Sequence, residues 1–187
     1  TTLGQFPILV LDLDRNTNSG PAIQEAVIAN GASAEYLTEM PEDLSLYYAV
    51  FVCLGTYNLN HQLTVDEGQQ LADYLNAGGM LYMEGGDTWY YDQQYVPTPV
   101  HPMFNIDGVA DGNSDLYLIK GQPGTFADGV NFIFTGDKNY IDHIAPVAPA
   151  VTLFENSPTI YPCAVAYDAG TYRTIGSSFE FGGLVDN

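Results

Sequence analysis

Short apolar runs alternate with stretches of helical period through the first half of the chain. Ile8-Leu9-Val10-Leu11, running into Asp12-Leu13-Asp14, has the continuity of a strand buried on both faces, and Pro7 is tolerable ahead of it. Ser19-Gly20-Pro21 opens a helix with proline in its first turn and a cap before it. Ile23, Ala26 and Val27 supply its apolar stripe, and Gly31 closes it. Ala34–Thr38 is a weaker strand; Tyr48–Leu54, without a charge, is the strongest. Thr64-Val65-Asp66-Glu67 is a capping box, in which the side chains of Thr64 and Glu67 each take the other's backbone N–H. The helix behind it places Leu71, Ala72 and Leu75 at helical spacing, Gly78-Gly79 ends it, and Met80–Met83 is a fourth strand. Strand–helix–strand–strand–helix–strand with buried strands predicts a parallel sheet covered by helices on both faces.

Further on the pattern changes. Trp89 to Pro102 is aromatic and proline-rich with no helical period, which predicts a long loop. Short strands are predicted at Leu116–Ile119, Val130–Phe134 and Val151–Phe154. A hairpin, Ala164–Tyr167 and Tyr172–Ser177, then turns at Asp168-Ala169-Gly170. No repeat or linker divides the chain. The expectation is one α/β domain over residues 1–187: a flavodoxin-like, doubly wound parallel sheet over 1–88, then a loop and β-rich C-terminal extension over 89–187.

Composition narrows the class. With 46% hydrophobic residues and 13% aromatic, the chain has ample material for a core, which excludes disorder. Asp and Glu number 23 against 4 Lys and Arg, for a net charge of −19. Only 14% of residues are charged, against about 25% in an average domain, so the acidity reflects missing bases. Phosphate neutralisation needs clustered Lys and Arg, so neither nucleic acid nor an anionic membrane surface is an expected partner. No apolar run is long enough for membrane insertion. Cys53 and Cys163 sit in apolar runs and read as buried thiols. Scarce Lys with abundant Tyr, Gly, Asn and Asp suggests a secreted or cell-surface location. The ends, Thr1-Thr2 and Gly182 to Asn187, look like those of a module cut from a larger protein, whose neighbouring domains would be its partners.

In doubly wound sheets, ligands bind beyond the carboxyl ends of the strands. That principle selects Asp12, Asp14 and Arg15 after the first strand, Thr56 and Tyr57 after the third, Glu84 and Asp87 after the fourth, and Ser177 and Glu180 after the last. Converging carboxylates could act as general acid and base, or hold a hard cation such as Ca²⁺ or Mg²⁺. A solvated acidic rim accounts for the same residues and requires no cofactor. Asp111-Gly112-Asn113-Ser114-Asp115 has the oxygen spacing of a calcium loop, which makes Asp111, Asn113 and Asp115 candidate ligands. Leu116 and Gln122, however, stand where such a loop needs Gly and Glu. Trp89, Tyr90 and Tyr91 could stack on a sugar or meet a protein, or simply pack the loop on the sheet. His61, His101 and His143 read as structural.

The stretches Tyr48–Gly55 and Leu63–Asp87, with Tyr74-Leu75-Asn76-Ala77-Gly78-Gly79 feeding the strand that ends in Glu84-Gly85-Gly86, resemble the class I glutamine amidotransferase-like fold. Within it, the likeness is to the trehalose-utilisation-type branch, and the whole also looks like domains embedded in large secreted bacterial surface proteins. That family places a nucleophilic Cys at the turn after the strand matched by Met80–Met83; here Glu84 stands there. The His-x-Glu partner pair is also missing, so the resemblance implies the fold without glutaminase activity. Asp12-Leu13-Asp14 is similar to the opening motif of haloacid-dehalogenase-type phosphatases, with Thr56, Lys120, Asp137 and Asp142 as conceivable remaining parts. Arg15-Asn16 nevertheless replace the Gly-Thr that family wants. The expected role is a non-catalytic interaction or structural module binding a protein or glycan. The alternative is a hydrolase using Asp12, Asp14, Glu84 and Asp87.

Overall fold

The computed structural model describes residues 7–185. Thr1-Thr2 and Asp186-Asn187, on which the excised-module expectation partly leans, lie outside the described residues. In chain order the elements are β1 (Ile8–Asp12), α1 (Ser19–Ala29), β2 (Ala34–Leu37), β3 (Val50–Cys53), α2 (Val65–Asn76) and β4 (Met80–Glu84). Then come β5 (Ile106–Ala110), β6 (Leu118–Gly121), β7 (Asn131–Phe134), β8 (His143–Pro146), β9 (Val151–Ser157), β10 (Tyr161–Asp168), β11 (Arg173–Ser177) and β12 (Leu184–Val185).

One ten-stranded sheet runs β12-β7-β6-β9-β10-β11-β4-β3-β1-β2, while β5 and β8 form a separate antiparallel ribbon. From β2 to β11 the pairings are parallel. From β11 outward they are antiparallel. The expected β-rich extension is therefore not an appendage. Its strands β6, β7 and β9–β12 continue the same sheet as the βα core, and β4 pairs with β11 across residues 88/89. The stretch from Trp89 to Pro102 is irregular, as its prolines dictate, but it contains a 3₁₀ turn at Asp92–Gln94, and a second at His101–Phe104 straddles its end.

Alternation along β1 explains the cover on both faces. Leu9 and Leu11 join a core with Val50, Val52, Met83 and the α2 residues Leu71 and Leu75. Val10, between them, packs on the other side with Cys53 and Ile23 of α1. A further core, including Leu116, Ile119, Phe134, Leu153 and Phe179, serves the antiparallel half. The capping box of α2 forms as the sequence requires: Thr64 Oγ1 accepts from the Glu67 amide at 3.2 Å, and Glu67 Oε2 accepts from the Thr64 amide at 2.8 Å. At α1 the Asn18 side chain makes no capping bond, and the Ser19 hydroxyl instead accepts the distant Gly182 amide at 2.8 Å. Cys53 and Cys163 are both buried and unbridged.

Candidate functional site

Strand register puts Asp12, Cys53, Glu84 and Ser177 in one row across β1, β3, β4 and β11, at the carboxyl ends of the parallel strands. The first turn of α1 closes over this row so tightly that a Cβ on Gly20 would overlap Asp12 Oδ2, a fit that only glycine allows. Four carboxylates gather here, and each is anchored inward. Asp12 Oδ2 accepts from the Tyr36 hydroxyl at 2.5 Å. Asp14 Oδ1 accepts the amides of Asn16 and Thr17 at 2.7 and 3.1 Å. Glu84 Oε2 accepts from the Tyr82 hydroxyl at 2.5 Å and the Phe181 amide at 2.8 Å. Glu180 accepts from Asn16 Nδ2 at 2.7 Å and from the Thr56 hydroxyl at 3.3 Å.

Burial dominates their electrostatics. It raises Asp12 and Asp14 above the ordinary carboxylate range, against the pull of their hydrogen bonds. Glu84, which has no exposed surface, is pushed up to about 8, first by burial and further by repulsion from Glu180. Glu180 is raised for the same reason, with Asp14 and Asp137 repelling it. The same burial, together with Glu84 on the adjacent strand, holds the Cys53 thiol well above its usual value and disfavours the thiolate.

A second acidic group lies beyond the turn after β4. Asp142 Oδ2 accepts the amides of Trp89 and Tyr90 at 3.0 and 2.7 Å, and burial lifts this carboxyl to about 8. Asp87 is raised to about 7, first by burial, then by Asp92 and Asp111. Asp92, buried and held by Gln62 Nε2 at 3.0 Å, is raised to about 6. Asp87 and Asp111 share a cleft of about 300 Å³ with Tyr57, Tyr91 and Tyr140. These tyrosines are 49%, 42% and 50% exposed, and Tyr57 meets Tyr140 edge-on with ring centroids 5.8 Å apart.

The strand-end residues selected by the sequence thus divide. Asp12, Asp14, Thr56, Glu84, Ser177 and Glu180 are buried around the row, while Asp87 and Tyr57 belong to the cleft. The Ser177 hydroxyl is spent internally, donating to the Phe179 carbonyl at 2.8 Å. Arg15 is exposed. The aromatic tract corrects the stacking expectation in one place. Trp89 is core, its indole N–H donating to the Ser177 carbonyl at 2.8 Å and its ring edge-on to Phe104 and His101. Tyr91 alone of the three lines the cleft, and Tyr90 is half-buried.

The calcium-loop spacing does not gather its own oxygens. Asp115 turns to His143 Nε2 at 3.1 Å and the Tyr161 hydroxyl at 3.3 Å, and Asn113 is exposed. Asp111 instead meets Asp87 and Asp142. Each histidine has a partner within the fold: His61 pairs with Glu67, His143 with Asp115, and His101 lies between Thr88 and Thr98. Sequence reasoning gave no site role to Asn16, Asp92 or Tyr140. It met Asp142 only as a phosphatase part, although a lone carboxylate just before a strand is a signal worth weighing.

Neither a family model nor a curated protein matches the chain. Solved structures do. The chain is similar to a glutamine amidotransferase from Thermotoga maritima, with TM-score 0.62 and 10% identity over 95% of this chain and 76% of that one. It is similar to a ThuA-like protein from Bacteroides uniformis, with TM-score 0.57 and 12% identity over 98% and 84%. A β-galactosidase from Rahnella sp. R3 matches with TM-score 0.63 and 12% identity over 92% of this chain, which spans 28% of the galactosidase's length. Identities this low speak for the fold and not for the activity. The chain has an α/β fold like those of glutamine amidotransferase and ThuA-like proteins.

Proposed function

We propose that this is a non-catalytic binding module of a secreted or cell-surface protein, built on a flavodoxin-like frame without the amidotransferase cysteine. It holds a glycan in the tyrosine-lined cleft. The cleft carries the reading: half-exposed rings of Tyr57, Tyr91 and Tyr140 suit the C–H faces of a sugar, and Asp87 and Asp111 offer acceptors to its hydroxyls. The parallel order β2-β1-β3-β4-β11 supports the frame, being that of flavodoxin-like sheets with β11 as the fifth strand. At the turn where the family resemblance puts a nucleophile, Glu84 is buried and bonded inward, which supports a role without catalysis. A likeness confined to 28% of a galactosidase chain supports an accessory domain working beside neighbouring domains.

Calorimetric titration with a panel of neutral oligosaccharides tests this. Binding is expected, and Tyr57→Ala and Tyr140→Ala should abolish it without lowering the melting temperature. No binding across the panel, or binding that both variants keep, refutes the reading. Hydrolysis of a chromogenic glycoside that Glu84→Gln eliminates would refute it in favour of a hydrolase.

A further inference from the structure

Three segments remote in sequence bring acids together at the cleft, Asp87 and Asp111 lining it and Asp142 buried beside them, and the backbone fixes their meeting. Asp111 and Asp142 flank one end of the β5/β8 ribbon, whose last pair is Ala110 with His143. Gly112, beside Asp111, lies so close to Ile141 that a Cβ would overlap the Ile141 carbonyl oxygen. The Asp142 amide donates to the Gly86 carbonyl at 2.7 Å, which ties in the loop carrying Asp87. One carboxylate oxygen from each of Asp87, Asp111 and Asp142 lies within 4.8 Å of the others.

Bonding leaves oxygens over at this meeting point. Asp87 is 4% exposed and Asp142 0%. The Trp89 and Tyr90 amides hold Asp142 Oδ2, so its Oδ1 is left without a partner, as are the buried Oδ2 of Asp87 and Oδ1 of Asp111. Among the described residues the ion pairs are His61–Glu67, His143–Asp115 and Arg173–Asp168, and none reaches the cluster. Asp87 and Asp142 are buried and Asp111 lies at the cleft surface beside them; adjacent carboxylates with unpaired oxygens are costly, and a bound cation offsets both the repulsion and the lost hydration.

We propose that Asp87, Asp111 and Asp142 form a binding site for a divalent, oxygen-seeking cation, with Ca²⁺ as the fitting ion. Oxygens all within 4.8 Å of one another can reach a single ion, and Ca²⁺ takes such a partial, irregular oxygen set more readily than Mg²⁺, which demands near-ideal octahedral geometry. Three carboxylates leave part of the Ca²⁺ shell open, and the cleft above admits water or ligand oxygens to complete it. The cation site does not depend on the glycan reading, because Ca²⁺ binding is measured with no sugar present.

The test takes the full 187-residue chain, freed of metal with chelator, and follows its melting temperature as CaCl₂ is added. In parallel, Tb³⁺ luminescence sensitised by the cleft tyrosines is read, with Ca²⁺ as competitor. Ca²⁺ should raise the melting temperature with a dissociation constant of about 0.1–1 mM, the regime of extracellular modules, and should displace Tb³⁺. Asp111→Asn and Asp142→Asn should each weaken binding at least about tenfold through loss of a ligand charge. If Asp142→Asn fails to fold, Asp111→Asn at the cleft surface decides. No shift up to about 10 mM CaCl₂, well above that affinity regime, overturns the inference. So does a shift that KCl of matched ionic strength reproduces, or one that the variants keep. Tyr57→Ala should lose sugar and keep Ca²⁺, so failure of the glycan reading and failure of the cation site give different results.

Discussion

Glu84→Gln isolates the cost of an acid sealed at the end of β4. In the folded chain its carboxyl holds a proton up to about pH 8, against 4.5 for an unperturbed glutamate. The groups facing it are Tyr82 on its own strand, Cys53 on β3, Glu180 from the C-terminal segment and the helix-end hydroxyl of Ser19. None is a cation. The unfolded chain releases this proton near pH 4.5 and the folded chain near 8, so folding takes up a proton anywhere between. An acid raised in this way makes the fold less stable as pH rises through the window, by up to about 1.4 kcal/mol per pH unit for one proton. From pH 5.5 to 7.5 that is about 3 kcal/mol.

Glutamine copies the protonated acid. Its carbonyl can accept from Tyr82 and Phe181 as Oε2 does, and its amide fills the place of Oε1, which has no partner. The variant therefore lacks this proton's dependence, while every other titrating group is common to both proteins. Urea melts at pH 5.5, 6.5 and 7.5, read from the fluorescence of the sole tryptophan, Trp89, give the comparison. The variant should gain on the parent by about 3 kcal/mol across the range. Parallel curves, or a parent that gains as pH rises, would refute the argument.

His101 should titrate in the opposite sense. Burial lowers it from 6.5 to about 3, so folding excludes a proton between these values and the fold loses stability as pH falls through them. Its imidazole resonances should stay those of the neutral ring from pH 7 down to 5, and a titration midpoint near 6.5 would contradict the burial argument. Trp89→Phe keeps the aromatic packing but leaves the Ser177 carbonyl without its indole donor. Because that carbonyl keeps the Gly85 amide at 3.1 Å, the change should cost about 0.5–1.5 kcal/mol by circular-dichroism melts and leave sugar binding unchanged, whereas loss of binding with full stability would return Trp89 to the cleft.

The first half of the fold was legible because its signals are local. An unbroken Ile8–Leu11, an uncharged Val50–Leu54 and the Thr64–Glu67 capping box each declare an element without help from elsewhere. β5 and β8 are not of that kind. Ile106-Asp107-Gly108-Val109-Ala110 is short and mixed, and it is a strand because His143–Pro146 lies beside it. The site divided in the same way. Register carried Asp12, Glu84 and Ser177 to one row, and strand ends can be read from apolar runs. The meeting of Asp87, Asp111 and Asp142 depends on Gly112 approaching Ile141 and on the Asp142–Gly86 bond, contacts that no spacing in one sequence encodes. Trp89 misled for the related reason that an aromatic tract does not reveal which of its rings turns inward.

The join between the parallel and antiparallel halves also dictates a timetable. β4 is complete by Glu84, yet the strand that covers its open edge is β11, so Met80 must wait for Arg173 and Glu84 for Ser177. During synthesis β4 presents an unpaired row of amides and carbonyls, the kind of edge that recruits stray strands. β10 and β11 are linked by the turn at Asp168–Gly170 and pair with each other, so they can form as a hairpin before docking beside β4. Completion of the N-terminal half is thus a late, non-local event, and such events slow folding. The central seam between β4 and β11 stays open until residues 173–177 have been made.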